Sequence, residues 1–205
     1  MLAMIVLAAN VAGSPSFACG PTNSPMEAVI CGDPELAAYD RAMALAYPRM
    51  KPAVRATQRA WLAERNKCGS TMKVKVCLRR SYTERLLVGG GIFGTHAKPT
   101  NIPGLTFLRS KSQGPGGLTL LDVSGGEYVY HLWSTFYSYA YPDHPEVISG
   151  DTFGVIRMSE GVGHEVATHE CDFTLKRHGE GWLISDADPC LGMNNNPDGI
   201  YLPVR

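Results

Sequence analysis

Between Ser24 and Leu86 the apolar positions recur every three or four residues, the period of a helix. Ser24 with Glu27 forms a capping box, and Pro25 at the first helical position supports a short helix there. Asp33-Pro34-Glu35 repeats the signal, and Leu36, Tyr39, Met43 and Tyr47 then make one stripe until Pro48 and Pro52 interrupt it. A third helix is predicted from about Ala53 to Lys67, with Val54, Gln58, Trp61, Leu62 and Arg65 on one side, and Cys68-Gly69-Ser70 ends it. A fourth, from about Lys73, puts Val74, Leu78, Tyr82 and Leu86 on one face.

The pattern changes after Val88. Residues 89–117 are rich in Gly, Pro, Ser and Thr, the composition of a linker or long loop. From Leu118 the texture is that of strands. Tyr128 to Tyr139 is loaded with aromatic and β-branched residues and shows no single clean face. Its Tyr128, Tyr130, Trp133, Phe136, Tyr137 and Tyr139, with Tyr141, read mainly as sheet core. Cys171 to Lys176 alternates strictly, with Cys171, Phe173 and Leu175 on one side. His178-Gly179-Glu180-Gly181 is a turn that returns through Trp182-Leu183-Ile184. A hairpin centred between Glu180 and Gly181 would set Cys171 opposite Cys190. The expected fold is therefore α+β: a helical module over 19–88, a linker over 89–117, and an antiparallel β module over 118–205.

Composition adds a compartment. Residues 1–18 carry no charge, run apolar and then small and polar, and end Ser16-Phe17-Ala18, a signal-peptide pattern with a small-x-small cut after Ala18. The apolar run is too short to span a bilayer. The site lacks the leucine usual before a lipidated cysteine, and lipidating Cys19 would leave an odd thiol. Six cysteines in an exported chain imply a disulfide framework. The expected pairs are Cys19–Cys31, Cys68–Cys77 and Cys171–Cys190, with no free thiol. The chain is thus expected to be a secreted or periplasmic protein without a transmembrane segment.

Net charge is zero, which nominates no nucleic acid. The halves differ, however. Residues 19–88 hold twelve Lys/Arg against six Asp/Glu, a balance of +6, and residues 89–205 hold seven against thirteen, a balance of −6. Such asymmetry implies modules with different partners or modules that dock on each other.

The helical segment resembles the N-terminal domain of the LprI-type lysozyme-inhibitor family. The matching residues are Cys19, Pro25-Met26-Glu27, Ile30-Cys31, Asp33-Pro34-Glu35-Leu36, Asp40-Arg41, Tyr47, Gln58-Arg59-Ala60-Trp61-Leu62, Arg65, Cys68, Cys77, Tyr82 and Arg85. They cover about a third of the chain, and Pro48 and Pro52 interrupt what is usually a more continuous helix. The resemblance implies an exported, disulfide-bonded, non-enzymatic domain whose namesake activity is inhibition of lysozyme. Separately, Ser124-Gly125-Gly126-Glu127-Tyr128 is similar to the Ser-Gly-x-x-Tyr motif of the unrelated C-type lysozyme inhibitors, whose second, Thr-Lys-Gly motif is absent here.

Catalytic signatures are weak. His164 and His169, flanking Glu165, stand five apart where a zinc helix needs four. Cys68 and Cys77 suit a clip between helices better than a zinc site. There is no Gly-x-Ser-x-Gly elbow, and Gly89 to Gly94 lacks the ending of a phosphate loop. No cofactor is expected. Arg59 and Arg65 beside Trp61 suggest a sugar-binding face, against the plainer reading of a core indole with arginines flanking it. The expected function is non-enzymatic: inhibition of a lysozyme-type cell-wall hydrolase, with Ser124, Tyr128, His164, Arg59 and Arg65 as candidate partner-binding residues. Alternatives are an immunity protein against a toxin delivered to the periplasm and an envelope module that binds wall polymers through its basic half.

Overall fold

The computed structural model describes residues 13–50, 52–87, 94–95, 98–99, 105–110, 114–138, 146–166, 171–187, 190–191 and 196–204. Residues 1–12 of the expected signal peptide, Gly89 to Gly91, Tyr139, Tyr141 and His169 lie outside these. Five α-helices come first: α1 (Pro25–Cys31), α2 (Pro34–Ala46), α3 (Pro52–Ala56), α4 (Gln58–Asn66) and α5 (Val74–Leu87). The strands follow. A two-residue pair, β1 (Gly94–Thr95) and β2 (Lys98–Pro99), precedes β3 (Thr106–Arg109), β4 (Gly116–Asp122), β5 (Glu127–Ser138) and β6 (Glu146–Ser159). The chain ends with β7 (Val162–Glu165), β8 (Thr174–His178), β9 (Gly181–Ser185) and β10 (Gly199–Pro203).

The protein is α+β, and its β part is a closed barrel. Strands β3 to β10 pair antiparallel with their neighbours in sequence, and β10 closes onto β3. Closure removes the unpaired edges that an open sheet would expose. It also corrects the expected organisation, because β3 comes from the stretch read as a linker.

The helix starts follow their caps. Ser24 accepts from the Glu27 amide while the Glu27 carboxylate accepts from the Ser24 amide, and the Asp33 carboxylate accepts from the amides of Glu35 and Leu36. The predicted third helix is two. It breaks at Thr57, where the Thr57 hydroxyl and the Arg85 guanidinium both donate to the Val54 carbonyl. Helix α2 is buried around nearly its whole circumference, charged residues included. Tyr47, the last residue of its predicted stripe, falls in the 3₁₀ turn after Ala46 and is exposed.

The lack of a clean face on β5 has a structural cause: both faces are covered. Tyr130 and Leu132 point into the barrel core with Leu118, Phe173, Ile184 and Tyr201. Val129, together with Leu121, Val123 and Val155, belongs to the same apolar cluster as Leu36, Tyr39, Met43 and Leu78 of the helices. The helical module therefore sits on the outer face of β4–β6, and the two modules share this apolar cluster, which is separate from the one inside the barrel.

Three disulfides join Cys19 to Cys31, Cys68 to Cys77 and Cys171 to Cys190, as expected. The geometric argument for the last pair needs correction. Thr174 faces Ser185 and His178 faces Gly181, so the hairpin turns at Gly179-Glu180. Cys171 and Cys190 are not ladder partners; the bond joins the segments flanking β8 and β9. No helix among the described residues is long and apolar enough to cross a membrane. These features are compatible with an extracellular or periplasmic location.

Candidate functional site

The hairpin between β4 and β5 turns through Val123, Ser124, Gly125 and Gly126, and the last three all have positive φ, at 75°, 67° and 75°. Two glycines meet that demand without steric cost. Ser124 meets it with local hydrogen bonding, its amide donating 2.8 Å to the Asp122 carboxylate. The turn is closed by Val123 N–H to the Glu127 carbonyl (3.0 Å) and Glu127 N–H to the Ser124 carbonyl (3.2 Å). The Met158 amide donates 2.8 Å to the Gly126 carbonyl from the neighbouring strand. Ser124, Gly125 and Gly126 are exposed.

Beneath this exposed tip the structure is held by charge. Glu127 is fully buried, one carboxylate oxygen accepting from Arg41 of α2 and the other from Arg157 of β6 at 3.0 and 2.5 Å. Arg41 also donates to the Val123 carbonyl at 3.0 Å, so the helical module grips the root of the turn twice. A cavity of about 260 Å³ opens beside the tip, lined by Ser16, Arg41, Leu45, Asp122 and Ser124 among others.

The other sequence candidates do not join this site. Tyr128 follows Glu127 but is half-buried, its ring edge-on to Trp182 at 5.9 Å, and burial pushes its phenol pKa up. His164 is exposed on β7, opposite Arg157 in the ladder. Arg59 is exposed on α4. Arg65, in contrast, is buried at 7% exposure, lies over the rings of Trp61 and Tyr82, and donates 2.9 Å to the Tyr82 hydroxyl. The Trp61 indole donates to the Ser81 carbonyl at 3.2 Å. Arg65 is therefore a core residue, and it forms no sugar-binding face with Arg59.

Sequence reasoning missed a second constellation. The Tyr130 hydroxyl, in the barrel core, donates to Glu165. Burial, with Glu35 and Asp172 adding like charge, pushes the Glu165 carboxyl up to about 7 against the opposing pull of Tyr130 and Arg79. Nearby on the helical side, Glu35 accepts from the Tyr39 hydroxyl at 2.8 Å and is held by Arg79 through both oxygens. A strict His-x-x-x-x-His reading drew attention to the exposed His164 and away from its inward neighbour Glu165. Alternation along a strand, which sends adjacent side chains to opposite faces, is the signal that would have separated them. Among the described residues no three His, Cys, Asp or Glu side chains gather to hold a metal ion.

The chain matches no protein-family model, no curated protein and no solved structure.

Proposed function

We propose that this chain is an exported binding protein that inhibits a lysozyme-type cell-wall hydrolase, with the Ser124–Gly126 turn as the element that enters the enzyme. One observation carries the reading: a small, polar, exposed turn is braced from behind by the buried Arg41–Glu127 pair, with the half-exposed Arg157 on the other carboxylate oxygen. The cleft of such a hydrolase is built around two carboxyl groups that flank the scissile bond of the substrate. A narrow turn with a serine hydroxyl and no bulky side chain fits between them and offers a donor to a carboxylate. Because the turn is held in shape before binding, little ordering entropy is lost when it docks.

Charge supports the same orientation. The turn belongs to the half that carries −6, and an acidic surface attracts a basic lysozyme and speeds encounter. The resemblances of the helical segment to LprI-type inhibitors and of Ser124 to Tyr128 to the Ser-Gly-x-x-Tyr motif point to the same activity. On this reading the helical module acts as a brace through Arg41. The test is inhibition of a basic lysozyme by the full chain and by its Ser124→Trp variant.

A further inference from the structure

The six residues before Cys19, expected to leave with the signal peptide, are built into the fold. Pro15 is buried, and Phe17 packs against the helical core. The Ser16 amide and hydroxyl both donate to one oxygen of Asp40, at 2.9 and 2.5 Å, and the Ser14 carbonyl accepts from Arg41. With the strap in place Asp40 and Arg41 are 8% and 3% exposed. The Ala18 carbonyl accepts from Asn23 at 3.0 Å, and Cys19 is then fixed to α1 by its disulfide.

A cut after Ala18 would strip two buried charges of these partners. Asp40 would keep the Tyr82 hydroxyl at 2.8 Å on its other oxygen and a more distant Arg65 at 4.0 Å. Arg41 would keep Glu127 and the Val123 carbonyl but lose the third anchor. Hydrogen bonds to charged groups stabilise a fold more than neutral ones do, and a segment that supplies three of them to α2 behaves as part of the folded protein.

We propose that export processing hydrolyses the chain at or before the Gly13–Ser14 bond, so that residues 14–18 remain as a strap across α2. Water adds across the peptide bond, leaving a carboxylate on the leader and an amine on the mature chain. Val11-Ala12-Gly13 provides the small residues such a cut requires. The strap also borders the candidate site, since Ser16 lines the cavity beside Ser124.

Intact-mass measurement of the exported protein tests this directly. A mature N-terminus at Ser14 or upstream of it, short of Met1, is the expected result; a start at Cys19, or an uncut chain, overturns it. A second measurement compares chains beginning at Ser14 and at Cys19. The shorter should melt lower by roughly 5 °C or more, the scale expected for lost buried charged hydrogen bonds in a protein of this size. Equal melting temperatures would show that the strap is dispensable and would count against the proposal.

Discussion

Arg41 and Glu127, 86 residues apart in sequence, form an ion pair with 3% and 0% of their side chains exposed. It joins α2 of the helical module to the first residue of β5 in the barrel. Removing the charge of Glu127 leaves two guanidinium groups facing a neutral partner, one of them buried. Glu127→Gln is expected to lower stability by about 3–5 kcal/mol, the range for breaking a buried pair from one side. Urea denaturation of the variant and the parent chain checks this.

The shared core makes a prediction about cooperativity. Leu121, Val123, Val129 and Val155 of the barrel lie in one cluster with the helices. Helical signal in the far ultraviolet and aromatic signal in the near ultraviolet should therefore lose structure at one midpoint. Two separate transitions would mean that the modules are independent and that the opposite charges of the halves do not lock them together.

How much of this was legible in the sequence depends on how local each signal is. Ser24, Glu27 and Asp33 act within four residues, and their caps are where the pattern put them. The strict alternation of Cys171, Phe173 and Leu175 likewise gave the correct buried face. Barrel closure was not legible, because β3 is four residues inside a Gly- and Pro-rich stretch and gains its order only by pairing with β4 and β10. The burial of Glu35, Asp40 and Arg41 was also hidden. Periodicity identifies one apolar face, whereas α2 is covered from several sides by α1, α5 and the barrel. The Ser124 turn was marked by its motif, but its bracing by Arg41 joins residues 86 apart, and nothing local signals that.

Glu165 should impose a pH dependence on stability. Its folded pKa is raised from 4.5 to about 7, so the folded state holds this proton more tightly than the unfolded chain does. The resulting stabilisation is fully present below about pH 4.5, falls as pH rises through that window, and is gone above about pH 7. Discounted for the partial solvent access of the group, the change is about 2 kcal/mol. In Glu165→Gln this part of the slope should vanish, with the variant gaining on the parent chain as pH rises from 5 to 8. Denaturation at a series of pH values reads the difference, and parallel curves would refute the assignment.

Arg65 and Arg59 separate a core role from a surface one. Arg65→Ala removes a donor to Tyr82 and a cation that lies over the adjoining rings of Trp61 and Tyr82, and should cost roughly 2–4 kcal/mol. Arg59→Ala should stay within about 0.5 kcal/mol of the parent. Thermal or chemical unfolding of the two variants side by side is sufficient.

The most direct test of the functional account is hydrolysis of cell walls by a basic lysozyme with the purified full-length mature protein added. The parent chain should inhibit, and its association should slow between low and physiological salt as the attraction is screened. Ser124→Trp places a bulky ring at the tip at a positive φ that strains a large L-residue by about 1–3 kcal/mol. Its melting temperature should therefore fall by several degrees while the chain stays folded, and inhibition should weaken at least tenfold. Undiminished inhibition by the folded Ser124→Trp protein would show that the turn is not the inserted element. Failure of the parent chain to inhibit any lysozyme tested would contradict the inhibitor reading itself.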